Sequence, residues 1–584
     1  MKQIFGVLFI SVLVLCSGCQ DDNPLGGKGN ETNYPADRDR EFDNGSGIVF
    51  PDLNEQLIAD LELLGKIWGF LKYHHPKVGQ GHYNWDYELF RILPKYVQVK
   101  DREARDKVIT DWINQYGDIP VCTTCRETPA SAYIKPDLLW AENSNMNDWL
   151  KTKIREIYQK RHQGTHYYIE MDPTISNPIF LNEKPYSGMA YPDAGFRLLA
   201  LYRYWSMIQY FFPCKYQTDK KWDDILPEYI PLFISAEDRL AYESASIQII
   251  GEINDTHAAI TAGFWNLEAS KGNKYAALRV WFIEGKLVVT EYYNPEFKRA
   301  SGLEIGDIIT HINGESVESI VEKQKKYYPA SNEPSRLRDM SFDLLRSNQN
   351  SISIDYISSD KAGRTELPLY ERNRLNKYGT YKVNRDEKCY KLIDENTGYV
   401  TLASILQEDI SAFIASFKNT KGIIIDIRNY PSSFVPYLLG GYFVLRPTPF
   451  SKFTIGNIDN PGEFVFNKLN IITDLEITYQ GKLVIIVNEI TQSQAEFTAM
   501  AFRACMNTII IGSTTAGADG NVSAVILPGG LQSHISGLGT YYPDGTQTQR
   551  VGIVPDIWIE PTIQGIREGR DELLEMAIQI INKE

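Results

Sequence analysis

No lysine occurs between Lys482 and Lys583, and the 584 residues hold only eight histidines. A nucleophile in that stretch has no local lysine to serve as its base, so the search for one falls on a short set of histidines. Cysteine is also sparse. Besides Cys16 and Cys19 there are Cys122, Cys125, Cys214, Cys389 and Cys505, an odd set that argues against a disulfide framework. Cys122-Thr-Thr-Cys125 has no second pair nearby, which favours a local disulfide or two buried thiols over zinc. Basic blocks are missing and the net charge is −14, so nucleic acid is a poor partner. The apolar stretch from Ile4 to Leu15 is too short to span a bilayer comfortably.

That stretch follows Met1-Lys2 and precedes small residues, and residues 1–18 read as a secretory signal. The small residues leading into Cys19 resemble the bacterial lipobox, which implies a lipid on Cys19 as membrane partner. Gln20-Asp21-Asp22 resembles the acidic export signal of Bacteroidetes surface lipoproteins. The expected location is the outer membrane, at the cell surface or else on the periplasmic face. Residues 19–47 are polar and rich in Gly, Asn and Asp, as in a flexible tether.

An internal repeat follows. Trp68, Tyr73, Pro76, Trp85, Asp86 and Pro94 recur as Trp205, Tyr210, Pro213, Trp222, Asp223 and Pro231, always 137 residues on. Apolar spacing is helical in both copies, and a proline closes the first helix of each. At the same offset Asp118-Ile119-Pro120 becomes Asp255-Thr256-His257. Only the second copy ends in a histidine, which singles out His257. Residues 48–195 and 196–270 are the two expected helical regions.

Residues 271–372 turn strand-rich, with an Asn313-Gly314 hairpin signal. From 373 to 584, buried Ile/Val runs alternate with helical stretches, as in a parallel sheet covered on both faces. One run, Leu483 to Val487, leads into Ser493, and a helix-like stretch begins at Gln494. The helix start would aim N–H groups at developing negative charge, so the Gln494 amide is a candidate oxyanion donor. On these residues alone, Ser493 or Thr491 as a plain N-cap is the commoner use.

Four further landmarks shift that balance. Lys421 to Asn429 ends in Asp426-Ile-Arg428-Asn429; Ser493-x-x-Glu496, Gly512 to Gly517 and Gly552-Ile-Val-Pro555-Asp556 follow in order. Together they resemble the S41 peptidases, the C-terminal processing and tricorn-type proteases, over roughly His257 to Glu584. Gly302 to Gly314 is similar to the PDZ insertion of that family. The resemblance implies a multidomain α+β chain: a ClpP/crotonase-like α/β core, a PDZ-like insertion and the duplicated N-terminal helical region. It implies a serine endopeptidase acting on peptide or protein substrates, with no metal or organic cofactor.

Processing-type members place a lysine base about 25 residues after the serine, but position 518 is Ala518. Asp255-Thr256-His257 instead resembles the tricorn-type base motif, and His257 can accept a serine proton near neutrality. In that branch a hydroxyl before the histidine and a distant glutamate complete the site. Thr256 matches the hydroxyl; Gln549 occupies the glutamate position, leaving Asp255 or Glu496 as the carboxylate at hand. The family often has Pro-Gly-Gly after Asn429. Here Tyr430-Pro431-Ser432-Ser433 stands there, so Ser432 or Ser433 is the expected second oxyanion donor. His534 is the rival base. His74 and His75 are expected at an interface, and His162 and His166 lack the carboxylates of a zinc site. The alternative is a non-catalytic peptide- or protein-binding lipoprotein on the same scaffold.

Overall fold

The computed structural model describes residues 34–583; the signal stretch and Cys19 lie outside the described residues. The N-terminal half is helical. Glu55–His74 and Ala194–Phe211 are buried on nearly every side, and each ends one residue short of a proline, at C-caps His75 and Phe212. The residue before proline is pushed out of helical geometry, which sets both boundaries. Each helix carries a matching clasp. Trp68 and Trp85 exchange indole N–H to carbonyl bonds, both 2.9 Å, and Trp205 and Trp222 do the same at 3.0 Å. Arg102–Asn114 and Arg239–Gly251 are 13 residues each, and Asp101 and Asp238 cap their first N–H groups.

At the centre, Lys72 and Arg203 share Glu183, and Arg203 also pairs with Asp86 at 2.7 Å. Arg203 reaches further, to the Ile526 carbonyl at 3.1 Å. Buried charges survive only when paired in this way. The cluster ties the helical half to the strand Val522–Leu527.

Two expectations change here. The tether does not run to residue 47: Asp39 and Glu41 pair with Arg91, Ser46 hydrogen-bonds Asp193, and Ala36 is buried. Its acidic residues meet a cation, which composition alone did not reveal. His74 and His75 are buried in the helical core rather than lying at an interface. Burial pushes both imidazoles down to about 3.

The unfolded chain takes up protons near pH 6.5 and these native rings do not, so the stability they confer is complete above that pH and lost as pH falls. Each ring should contribute a slope of about 1.4 kcal/mol per pH unit between roughly pH 6.5 and 3. Urea unfolding at pH 7 and pH 5 should show this loss, and His74→Asn should flatten the slope by one ring's share.

Residues 274–371 form an eight-stranded sheet, with Asn313 and Gly314 at positive φ in the turn between Ile308–Ile312 and Glu315–Ser316. Beyond it, Thr397–Thr401, Gly422–Asp426, Lys482–Val487 and Thr508–Gly512 pair in parallel, extended by an antiparallel strand Tyr390–Leu392 and by Ile557–Trp558. Both faces are covered. Ile423, Ile425 and Ile485 pack under the helix Gln494–Arg503, while Ile424, Val484 and Ile486 pack under Glu572–Asn582. Each buried isoleucine contributes roughly 1.5–3 kcal/mol, so the Ile/Val runs hold the sheet without alternation.

A third sheet joins distant parts of the chain. Ile260–Ala262 pairs with Leu531–Ser536, itself paired with Val522–Leu527. Cys122 and Cys125 form a disulfide. Among the described residues, no helix is long and apolar enough to cross a membrane, and no group of His, Cys, Asp or Glu could hold a metal ion.

Candidate active site

Ser493 stands between the end of strand Lys482–Val487 and the start of helix Gln494–Arg503. Its backbone lies at φ 58°, ψ −123°. A non-glycine residue there carries strain of about 1–3 kcal/mol and persists only where its surroundings enforce it. The Ser493 N–H donates to the Ala518 carbonyl at 2.9 Å and to Glu496 Oε2 at 3.3 Å. Thr491 Oγ1 donates to the Ile427 carbonyl at 2.7 Å, tying the loop to the neighbouring strand. From the strand-rich unit, Arg338 donates to the Glu489 carbonyl and to Gln492 Oε1, and the Trp281 indole donates to Glu489.

Glu496 is fully buried beneath this turn. Burial pushes its carboxyl up to about 7, against the pull of four donors: the Thr515 hydroxyl and the amides of Gly517, Ala518 and Ser493. It braces the turn and does not reach His257. Gly517 has φ 65°, and a Cβ there would lie 2.7 Å from the Arg550 backbone, so the segment can run this close to residues 549–550 only as glycine. Asp519 is buried beside Glu496, and burial, then the Glu496 charge, raises its carboxyl far above the usual range.

The histidine arm meets the same segment. Thr256 Oγ1 donates to the Ala516 carbonyl at 3.0 Å, while the Ala516 N–H donates to the Thr491 carbonyl at 2.9 Å. Residues 515–518 are thus flanked by Asp255-Thr256-His257 and by Thr491-Gln492-Ser493. Thr256 does not orient the imidazole; its hydroxyl also accepts the Ser331 N–H at 2.9 Å.

The hydroxyl beside the ring comes from Ser536. His257 Nδ1 lies 2.9 Å from Ser536 Oγ, and that hydroxyl donates to Asp255 Oδ1 at 3.0 Å. A serine has one proton to give, and here it goes to the carboxylate. Nδ1 must then carry the ring proton, leaving Nε2 as a bare acceptor. Asp255 also accepts the N–H groups of His257 (3.0 Å) and Ser536 (2.7 Å) and the Gln549 side-chain amide (3.2 Å).

Gln549 therefore holds the acid and not the histidine. Burial lowers the His257 pKa, opposed by Asp255 and reinforced by His534. His257 Nε2 is buried and hydrogen-bonds nothing among the described residues, Ser493 included. His534 sits on the same strand as Ser536, half-buried and without a carboxylate partner among the described residues.

The oxyanion donors divide. The Gln494 N–H, at the first helical position, has no acceptor among the described residues. Ser432 cannot donate as expected: its N–H goes to the Leu402 carbonyl at 3.0 Å and its hydroxyl to the Ile405 carbonyl at 2.6 Å. The turn packs down on residues 402–405 through these two bonds. Ser433 contributes its carbonyl, which accepts the Gln494 side-chain amide at 3.0 Å.

Sequence reasoning missed Ser536. A serine on an alternating strand carries no signal of its own; only the pairing of Ser533 with Ile260 brings it to His257.

The model of peptidase family S41 matches residues 396–559. Among solved structures, a mutant of CPAF is 14% identical, covering 67% of this chain and 98% of its own, with a TM-score of 0.52. Mature CPAF complexed with lactacystin is 13% identical, covering 67% and 99%, with a TM-score of 0.51. The likeness shows a shared fold. None of the curated proteins matches the sequence.

Proposed function

Because this chain carries the core of peptidase family S41, we propose that it is a serine endopeptidase of the bacterial envelope in which Ser493 is the nucleophile and His257 its base. The observation that carries the assignment is the chain of contacts from Asp255 through the Ser536 hydroxyl to His257 Nδ1, which favours a proton on Nδ1. With Nδ1 protonated and Nε2 bare, His257 is prepared to take the Ser493 proton.

Ser493 Oγ attacks the scissile carbonyl while its proton passes to Nε2; the proton then goes to the leaving amine. The Asp255 carboxylate, acting through Ser536, stabilises the imidazolium between those steps. The Gln494 amide binds the oxyanion. The repeated helical region, with its paired Trp clasps, carries the base. The strand-rich insertion is PDZ-like and could hold a peptide by strand addition. A lipid on Cys19 would anchor the protein to the outer membrane, facing the cell surface or the periplasm.

A fluorophosphonate, which phosphonylates an activated serine, tests the pair. The intact protein should be labelled, and both Ser493→Ala and His257→Ala should abolish labelling. Labelling that survives both substitutions would sink the proposed pair; an unlabelled intact protein would favour a peptide-binding role.

A further inference from the structure

One motif has no part in the catalytic pair: Cys122-Thr-Thr-Cys125. Among the described cysteines only these two are joined, while Cys214, Cys389 and Cys505 are buried free thiols. The bond spans just Thr123 and Thr124, and closing so short a ring removes little entropy from the unfolded chain. It is a weak staple for the fold. Nor is it a buried strut, since both cysteines are partly exposed and the preceding Val121 is 78% exposed. The two sulfurs have unequal surroundings. The Cys125 N–H donates to Cys122 Sγ at 3.0 Å, a contact that can hold negative charge on that sulfur. Cys125 Sγ lies 3.3 Å from the Arg161 carbonyl, which suits a protonated thiol instead.

This turn begins a strap. Residues 121–138 form no helix or strand apart from a bridge between Ile134 and Phe464, yet they carry the first helical copy onto the catalytic core. Arg161 fastens the near end, donating to the Arg126 carbonyl at 2.6 Å and to the Asp459 carbonyl at 2.8 Å. Asn460 Nδ2 donates to Thr128 Oγ1 at 3.0 Å. The Tyr133 N–H then donates to the Phe464 carbonyl at 2.9 Å, and the Phe464 N–H to the Ile134 carbonyl at 3.0 Å. The Tyr133 ring meets Tyr541 edge-on at 5.2 Å, and its hydroxyl lies 3.2 Å from that of Tyr216. From Tyr541 the chain turns back through Thr548, whose N–H bonds the Thr540 carbonyl, to Gln549, which holds Asp255. Each helical copy thus reaches the core soon after its 13-residue helix, one by this strap and the other by His257.

We propose that Cys122–Cys125 is a thiol–disulfide exchange site for an external dithiol, and that its redox state sets how firmly residues 121–138 sit on the core. A thiolate of the dithiol attacks Cys122 Sγ. The Sγ–Sγ bond breaks and its electron pair leaves on Cys125, which takes a proton and donates it to the Arg161 carbonyl. The second thiolate of the dithiol then attacks the first, and the pair leaves on Cys122, held by the Cys125 N–H until it is protonated. The dithiol departs as a disulfide, and the two cysteines have gained two electrons and two protons. Without the cross-link the turn no longer fixes Arg126 and Thr128 over Arg161 and Asn460, so the strap loosens from that end. The inference goes beyond the reading of Ser493 as nucleophile and does not depend on it.

Dithiothreitol, added to the intact protein without denaturant, serves as the dithiol. Maleimide labelling followed by mass spectrometry should find two new thiols, Cys122 and Cys125, with Cys214, Cys389 and Cys505 unlabelled. Oxidised dithiothreitol should reverse the change. Hydrogen exchange in peptides containing Tyr133 and Phe464 should be about tenfold faster in the reduced protein, and faster also at Thr548, while the strand Lys482–Val487 stays as protected as before. The double variant Cys122→Ser with Cys125→Ser should exchange at the fast rate without reductant and ignore dithiothreitol.

A folded protein that gains no thiols would overturn the proposal, because the bond would then be a plain structural link. Thiols gained with exchange at Tyr133 and Phe464 within about twofold of the oxidised protein would overturn it as well, since the strap would hold without the bond. Faster exchange in Lys482–Val487 by the same factor would also count against it, as a general loosening of the core.

Discussion

Replacing His257 by alanine should lower kcat for peptide hydrolysis by about 10⁶-fold, as far as Ser493→Ala does, and the double variant should be no worse than either. The equality follows from the geometry. Without a base the Ser493 hydroxyl is a poor nucleophile, and without Ser493 a poised imidazole has no proton to take. The two groups act as one unit, so their effects do not add. The remaining rate should be that of bound substrate held near the Gln494 amide.

His257 lies on a buried arm whose Thr256 is held by Ala516 and Ser331, and its Nε2 makes no hydrogen bond, so the substitution leaves those anchors intact. Single-turnover kinetics with a fluorogenic peptide would measure the loss, and thermal melts would show that folding is retained. A His257→Ala variant that keeps more than about one part in 10³ of the rate would point to His534 or solvent as the base.

The second large effect belongs to Asp255. Asp255→Asn keeps the size of the side chain but removes its charge, and its amide can turn an N–H towards Ser536. The hydroxyl could then donate to Nδ1, and the ring would hold its proton on Nε2, the wrong nitrogen. A loss of about 10⁴ in kcat is expected, as when the acid of a serine triad is made an amide.

The pH profile should move as well. Asp255 raises the His257 pKa, so its removal shifts the acid limb of kcat/KM to lower pH while the plateau drops. Gln549→Glu should not raise activity. Gln549 Nε2 is a donor 3.2 Å from Asp255, and a second carboxylate there would face the first with no cation between them. An increase in kcat for Gln549→Glu would show that the site lacks an acid, contrary to the role given to Asp255.

The sequence and the structure agree where chemistry is local. Buried Ile/Val runs announce parallel strands, because a strand covered on both faces has no polar side to show. The serine between such a run and a helix could be named, as could an Asp-x-His that only one of two repeats possesses. The 137-residue register also marked the paired Trp clasps, because each clasp joins residues close in sequence.

What stayed hidden depends on contacts between distant segments. Ser536 is one serine among many until its strand pairs with Ile260–Ala262. The loss of the Ser432 amide depends on how the turn settles on Leu402, and glycine-free sequence says only that the turn is stiff. Residues 34–47 looked like solvated linker because the cation they meet, Arg91, lies in a helix with its own pattern to satisfy.

The sheet of Ile260–Ala262, Val522–Leu527 and Leu531–Ser536 also sets an order of events. His257 precedes Ser493 in the chain, but Ser536, which contacts its Nδ1, and Gln549, which holds Asp255, both come after Ser493. A chain still being synthesised or exported can contain His257 and Ser493 and yet lack the strand that prepares one for the other. The proposed Ser493–His257 pair is therefore complete only once residues up to 549 have folded back onto the histidine arm.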